Sequence, residues 1–327
     1  MKIQRCNSNP IVRPGIHDWR RVSVFNPGVL YEKGIYFMFE RAAGSLCPFQ
    51  TVIGALASSD GINFQHTRRE PVFTGEMAGL PKGSVQDARI VKIEGTYYIS
   101  YAIQPYQMDC RPNGLGVPAY STGRYRGWKK CASPMITRSG IAVSRDLIGF
   151  THLSFTTPAG IDDRDNALFP RKINGRFASL RRPMSRSPSI WISYSRDLMG
   201  WTDPRIVAEP ENDWEGGKIG AGPPPLETTE GWLLLYHGVD GSSVYRVGAM
   251  LLDLDDPERV IARTRDFIME PEEYYERFGL VIPNVIFPTG MVLADGLLRI
   301  YYGCADTCIG LATVPAKELI AHILSQA

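Results

Sequence analysis

The chain has 327 residues and is rich in Gly (32), Pro (24) and Tyr (15), a composition that favours many turns and strands. A formal net charge of only +2 excludes a global basic field for nucleic acid, so any bound anion must be held by a local cluster. No stretch approaches the roughly 18 apolar residues of a membrane span. Residues 1–7 carry no apolar run of signal-peptide type. The six scattered cysteines are therefore expected as reduced thiols in a cytoplasmic protein. Cys304 and Cys308 lack the second pair or nearby His of a metal site, and no metal is expected.

In chain order, a turn ending in Gly recurs before an alternating aromatic or aliphatic run. The instances are Lys33-Gly34 before 35–39, Glu94-Gly95 before 96–101, Asn174-Gly175 before 176–180, Glu230-Gly231 before 232–236 and Asp295-Gly296 before 297–302. A further strand signal, rich in small residues, follows at 53–60, 140–146, 190–197, 248–253 and 309–314. The first three lead into Phe64, Phe150 and Trp201. Units of about four strands at intervals of roughly 55 to 80 residues predict an all-β, five-bladed β-propeller. A sandwich would not repeat such matched sets. The whole of 1–327 is read as one domain, with a long insertion at 104–138 and a C-terminal helix at 315–325, where Pro315 suits a first turn. The apolar face of that helix must pack on its own propeller or on a second chain, in which case the protein is a homo-oligomer.

The first strand of each propeller blade lines the central channel. Here the stretch ahead of each hairpin opens on a polar residue: Asn26, Asp87, Asn166, Lys218 and Asn284. Asp87 and Arg89, two apart on an extended strand, are expected to point to one side, an acid beside a fixed positive charge. Second strands end on Arg41, on Arg182 and on Tyr236-His237, and the fifth leads to Asp306. With Lys218, this converges four cationic groups from three blades on one mouth. Arg suits phosphate by its planar fork and Lys as a point charge.

A channel of Asn, Asp, Tyr and His suits sugars. Ordinary glycosidases need two carboxyl groups, yet one acid, Asp87, stands out among the tips. Inorganic phosphate is already an anion and needs positive charge more than a base. One acid plus a cationic cluster therefore points to phosphorolysis. Two alternatives stay open. One is an inverting hydrolase whose water is activated by Glu40, Asp165, Glu227 or Asp306; the other is a sugar-binding propeller without catalysis. No Gly-rich strand-to-helix motif for a nucleotide is present.

These residues resemble the β-mannoside phosphorylases of glycoside hydrolase family 130. The resemblance runs nearly end to end through Phe25-Asn26-Pro27-Gly28, Asp87-Ala88-Arg89, Leu168-Phe169-Pro170, Arg182-Pro183 and Lys218-Ile219-Gly220-Ala221-Gly222-Pro223. It continues through Tyr236-His237-Gly238, Asn284-Val285 and Tyr301-Tyr302-Gly303-Cys304-Ala305-Asp306. It implies a five-bladed propeller that attacks a β-mannoside oligosaccharide with inorganic phosphate and inverts the anomeric centre to give α-mannose 1-phosphate, without a cofactor. It makes Asp87 the proton donor, acting through the mannose 3-hydroxyl. It assigns Arg41, Arg182, Lys218 and His237 to phosphate, and Asn26 and Asp306 to sugar. Arg89, Asn166, Tyr236 and Asn284 complete the expected substrate contacts. Ala88 replaces the Pro common between the Asp and Arg of that element. The 104–138 segment is expected either to cover the pocket and shape the leaving-group subsite or to be a surface excursion. Linkage and acceptor are left open by the sequence.

Overall fold

The hairpin turns form where the Gly signals place them. Lys33-Gly34, Glu94-Gly95, Asn174-Gly175 and Asp295-Gly296 all adopt left-handed backbone at both positions, the geometry that two-residue hairpins need to match strand twist. The computed structural model describes residues 3–46, 48–105, 136–184 and 186–326. Their strands form five antiparallel sheets, the blades of a propeller. Blade 1 runs through Ser23–Glu32, Ile35–Ala43, Thr51–Ser58 and Gln65–His66. Blade 2 comprises Ser84–Ile93, Thr96–Gln104, Arg138–Ser144 and Thr151–Phe155, and blade 3 Asp163–Leu168, Phe177–Pro183, Ile190–Ser195 and Arg205–Ala208. In blade 4, Lys218–Ala221 and Leu226–Thr228 both pair with Gly231–Val239, which continues to Tyr245–Leu252 and Val260–Arg263. Blade 5 holds Ile286–Ala294, Leu297–Cys304 and Cys308–Pro315.

Blade 5 takes its outer strand from the start of the chain. Gln4–Arg5 pairs with Cys308–Pro315, Gln4 opposite Thr313 and Arg5 opposite Ala312. The two ends of the sequence thus close the ring, a pairing too short to leave a periodic signal.

Blades pack face to face, so their strands are buried on both sides and read as continuous apolar runs. Gly231–Val239 is buried throughout. Alternation sends Leu233 and Leu235 into a core shared by blades 4 and 5, and Trp232, Leu234 and Tyr236 into one shared by blades 3 and 4. Equivalent cores lie between blades 1 and 2, 2 and 3, and 5 and 1.

The C-terminal helix spans Ala316–Leu324 with Pro315 as its N-cap. Leu319, Ile320 and Ile323 are buried in the core of blades 4 and 5, so its apolar face lies on its own propeller. Cys304 and Cys308 are free thiols facing each other across the last hairpin of blade 5. Most of the 104–138 insertion lies outside the described residues, as do Cys47, Cys110 and Cys131.

A four-residue helix, Tyr274–Arg277, is too short for a periodic signal and was not expected. Its Glu276 is fully buried and accepts from Arg5 Nε (2.8 Å) and Nη2 (3.0 Å) and from Tyr302 Oη (2.8 Å). It also accepts from the backbone N–H groups of Glu272 (2.9 Å) and Glu273 (3.1 Å). This carboxylate bolts the closing strand to blade 5. Replacing Arg5 with Ala leaves a buried charge short of its cation and is expected to cost about 3 kcal/mol. Urea unfolding should move to a lower midpoint; an unchanged midpoint would show that the pair adds nothing to closure.

Candidate active site

Three blades enter the channel through the same distortion. The pairing of first and second strands shifts register between Phe25 and Gly28, Gln86 and Arg89, and Arg164 and Ala167. Within each shift one residue takes left-handed backbone: Asn26 (φ 46°), Asp87 (φ 53°) and Asp165 (φ 55°). Asn284 ahead of blade 5 does the same (φ 56°). Asn and Asp tolerate this region better than other side chains with a Cβ. The tips are polar for a backbone reason as well as a chemical one.

The bulges break strict alternation. Asp87 Oδ1 accepts from Asn26 Nδ2 (2.8 Å) and Arg41 Nη1 (2.9 Å), and its side chain keeps 14% exposure. Arg89 does not join it as an ion pair. It is 1% exposed and gives Nε to Gly222 O (2.6 Å), Nη2 to Ala221 O (3.0 Å) and Asp165 Oδ1 (3.3 Å), and Nη1 to the Asp87 carbonyl (3.2 Å). Arg89 is a staple across blades 2, 3 and 4, buried beneath the mouth, and positions other groups.

Asp165, not Asn166, is the tip of blade 3. Asn166 turns into the blade, where Nδ2 donates to Thr156 Oγ1 (3.3 Å) and Oδ1 accepts from Ser179. Sequence reasoning chose the Asn because both residue types suit a tip and nothing local separates them. Asp165 Oδ2 lies 3.0 Å from Arg182 Nη2 and 3.7 Å from His237 Nε2. Neither contact has hydrogen-bond geometry, so this buried oxygen makes no hydrogen bond. Gly220 permits the approach: a Cβ there would stand 2.2 Å from Asp165 Oδ2 and 2.5 Å from His237 Cε1. Gly303 plays the same part for Asn26, whose Oδ1 would be 2.0 Å from an added Cβ.

Burial would push the Asp165 carboxyl up, but Arg182 and the other positive groups outweigh it and hold it at about 2. His237 is carried well below its ordinary value, first by burial and then by Arg182 and Lys218. The imidazole is therefore neutral, and the guanidiniums of Arg182 and Arg89 hold the carboxylate. Arg182 Nη1 lies 3.1 Å from His237 Nε2; with that nitrogen accepting, the proton sits on Nδ1, which makes no hydrogen bond. Lys218 donates to Tyr245 Oη (2.9 Å) and lies over its ring. Burial first, then Arg182 and Arg164, push the ammonium down to about 7. Tyr245 rises to about 12, chiefly by burial. Arg164, paired with Asp162 at 3.1 Å, and Tyr245 belong to this group. Neither was singled out from the sequence, because neither stands at a blade position where polar residues repeat.

Of the other expected residues, Asp306 sits in the turn between the second and third strands of blade 5 (φ 50°), where its charge acts on Lys218 and Tyr245. Asn284 accepts through its carbonyl from Tyr245 N (3.0 Å). Tyr236 faces the core of blades 3 and 4, its hydroxyl taken by Arg263 Nε at 3.1 Å; alternation that brings His237 to the channel turns its neighbour away. The mouth therefore joins an acid with its own cation (Asp87, Arg41) to a cationic cluster from blades 3 and 4 around a buried carboxylate.

Comparison with known proteins identifies the family. The sequence profile of glycoside hydrolase family 130, described as beta-1,4-mannooligosaccharide phosphorylase, matches residues 3–113 and 122–324. The chain belongs to that family. Among family 130 relatives, a 1,2-beta-oligomannan phosphorylase from Thermoanaerobacter sp. (strain X514) is 35% identical over 327 residues, covering 98% of this chain and 99% of the relative. A beta-1,2-mannobiose phosphorylase of the same organism is 36% identical over 333 residues, covering 97% and 99%. The solved family 130 structure of a beta-1,2-mannobiose phosphorylase from Listeria innocua superposes with a TM-score of 0.79 at 24% identity, covering 99% of each chain. At that identity it speaks for the fold.

The Gly220 contact yields a test. Gly220→Ala should cut turnover about a hundredfold by displacing Asp165 and His237, while far-ultraviolet circular dichroism stays that of the parent. Full activity in the variant would mean that the cluster's geometry is not required.

Proposed function

We propose that this family 130 chain is an inverting phosphorylase that cleaves β-1,2-mannosidic bonds of manno-oligosaccharides with inorganic phosphate. The observation that carries the reading is the cluster of Arg182, Lys218 and neutral His237 beside the Asp87–Arg41 pair. In the reaction a phosphate oxygen forms a bond to the anomeric carbon as the glycosidic C–O bond breaks on the opposite face. The proton from Asp87 ends on the leaving oxygen, by way of the mannose 3-hydroxyl. Arg41, 2.9 Å from Asp87 Oδ1, stabilises the carboxylate left behind. Arg182, Lys218 and His237 hold the phosphate, with Arg164 adding positive charge. Asn26, Asp306 and Asn284 line the sugar side.

The alternative, a hydrolase, needs a carboxylate basic enough to activate water. Asp165, held at about 2, is too weak a base. Glu40 is fully buried against Arg20 (2.7 Å), and Glu227 pairs with Arg171 (2.9 Å) at the surface, which leaves Asp306 as the one candidate base, tested by release of mannose without phosphate. The β-1,2 linkage rests on the names of the two full-length relatives, and β-1,4 is the competing assignment from the family's description.

Product analysis decides both points. With β-1,2- and β-1,4-mannobiose, α-mannose 1-phosphate should form only when phosphate is present, and faster from the β-1,2 sugar. Mannose released equally without phosphate would refute phosphorolysis; faster β-1,4 cleavage would reassign the linkage. Asp87→Asn should lower kcat at least about a thousandfold without changing the unfolding midpoint.

Lys218 predicts a pH dependence. Its ammonium is charged below about 7 and neutral above, so phosphate affinity is strongest below that pH and weakens as pH rises through it. The KM for phosphate should climb between roughly pH 7 and 8.5. Lys218→Arg, which keeps its charge, should flatten the rise. Because phosphate's own second ionisation is common to both enzymes, parallel profiles would remove Lys218 from the phosphate site.

A further inference from the structure

Two large aromatic rings stand in solvent on the segment that joins the last strand of blade 4 to the first strand of blade 5. Tyr274 is 77% exposed and Phe278 61%, the most exposed Tyr and Phe side chains among the described residues. Tyr274 opens the helix Tyr274–Arg277 and Phe278 caps its end, with ring centroids 5.0 Å apart and planes 32° apart. Two adjacent aromatic faces left in water keep apolar surface exposed that a partner could cover, so they mark an interaction surface.

The helix is held rigidly. Glu276, between the two rings in sequence, is the buried acceptor for Arg5, Tyr302 and two backbone N–H groups. The chain that leaves it runs straight to the site. Leu280 N donates to Thr307 Oγ1 (2.7 Å), next to Asp306, and an added Cβ at Gly279 would stand 2.0 Å from the Ala305 carbonyl. Val281 packs on Phe25 and Ala43 of blade 1. Asn284 N then donates to the Arg277 carbonyl (3.1 Å), and Asn284 O accepts from Tyr245 N (3.0 Å), whose hydroxyl holds Lys218 (2.9 Å). The aromatic pair is thus built into the rim between blades 4, 5 and 1, on the same short segment that sets Asn284 and backs Asp306.

We propose that Tyr274 and Phe278 form a platform on which a sugar ring of a longer manno-oligosaccharide stacks as the chain leaves the pocket, so that they set a preference for chain length. The inference rests on the phosphorylase reading and extends it beyond the disaccharide that spans the cleaved bond. The apolar C–H face of a pyranose matches an aromatic face, and a rigid pair orders few groups on binding. Rings outside the pocket recognise shape rather than charge, so phosphate affinity does not depend on them.

The test is a ratio. For the parent enzyme, kcat/KM is measured with mannotetraose and mannobiose of the preferred linkage. In Tyr274→Ala/Phe278→Ala the ratio of tetraose to biose should fall about tenfold, while Tyr274→Phe and Phe278→Tyr retain it. A ratio equal to the parent's would overturn the platform. An equal ratio with a loss of dimer in sedimentation would instead assign the patch to contact between copies of this chain. Phe278→Trp gives a readout independent of turnover: its added emission should shift with mannotetraose and not with mannobiose, and no shift with either counts against the proposal. If the parent forms no α-mannose 1-phosphate from any β-mannobiose, the underlying reading fails. Normal disaccharide phosphorolysis with no chain-length effect overturns only the platform.

Discussion

The channel depends on one buried carboxylate. Asp165 on blade 3 meets Arg89 from blade 2 at 3.3 Å and Arg182 of its own blade at 3.0 Å, beside His237 of blade 4. Remove the acid and the two guanidiniums repel each other with Lys218 close by; remove the guanidiniums and a fully desolvated anion is stranded. Neither half is stable without the other. Arg89 completes the arrangement by reaching the carbonyls of Gly222 and Ala221 on blade 4, so one side chain ties three blades together below the mouth.

That lattice also sets the chemistry above it. Burial first, and then positive charge held in place, keeps His237 neutral and lowers the Lys218 ammonium to about 7. In the proposed phosphate site the donors then have a net charge that responds to the anion itself: a phosphate entering there would favour protonation of Lys218 as it binds. Arg182 carries the permanent charge and Lys218 the adjustable part. Asp87 has its own cation, Arg41, so in the proposed reaction proton donation and phosphate capture use separate ionic partners.

Much of this was legible in the sequence, and what was not has a specific cause. The five hairpins announced themselves because turn residues and strand alternation are local. The tips Asn26, Asp87 and Asn284 and the cations Arg182, Lys218 and His237 were found because blade symmetry repeats them. The expectation for Arg89 failed because a bulge with a left-handed residue at Asp87 breaks period two, and no propensity distinguishes a bulged strand from a regular one. Blade 3 was read one residue late for a related reason: Asp165 and Asn166 suit a tip equally by type, and only register decides which reaches the axis. The closing pair Gln4–Arg5 and the helix Tyr274–Arg277 are too short for any periodicity to reveal.

The same bulges explain why acid and staple can lie so close without neutralising each other. On a regular strand, residues 87 and 89 would share a face, and the guanidinium would take the carboxylate for itself. The left-handed turn at Asp87 lifts its side chain to the mouth and leaves Arg89 with only the Asp87 carbonyl, at 3.2 Å. Arg89 is then free to engage Asp165, while Asp87 rests on Asn26 and Arg41 at the rim. A substitution that regularised the strand would bring Arg89 into competition with Arg41 for Asp87 and draw it from Asp165, disturbing the Asp87–Arg41 pair and the Asp165 cluster together. Strain at one residue therefore keeps the two halves of the site separate.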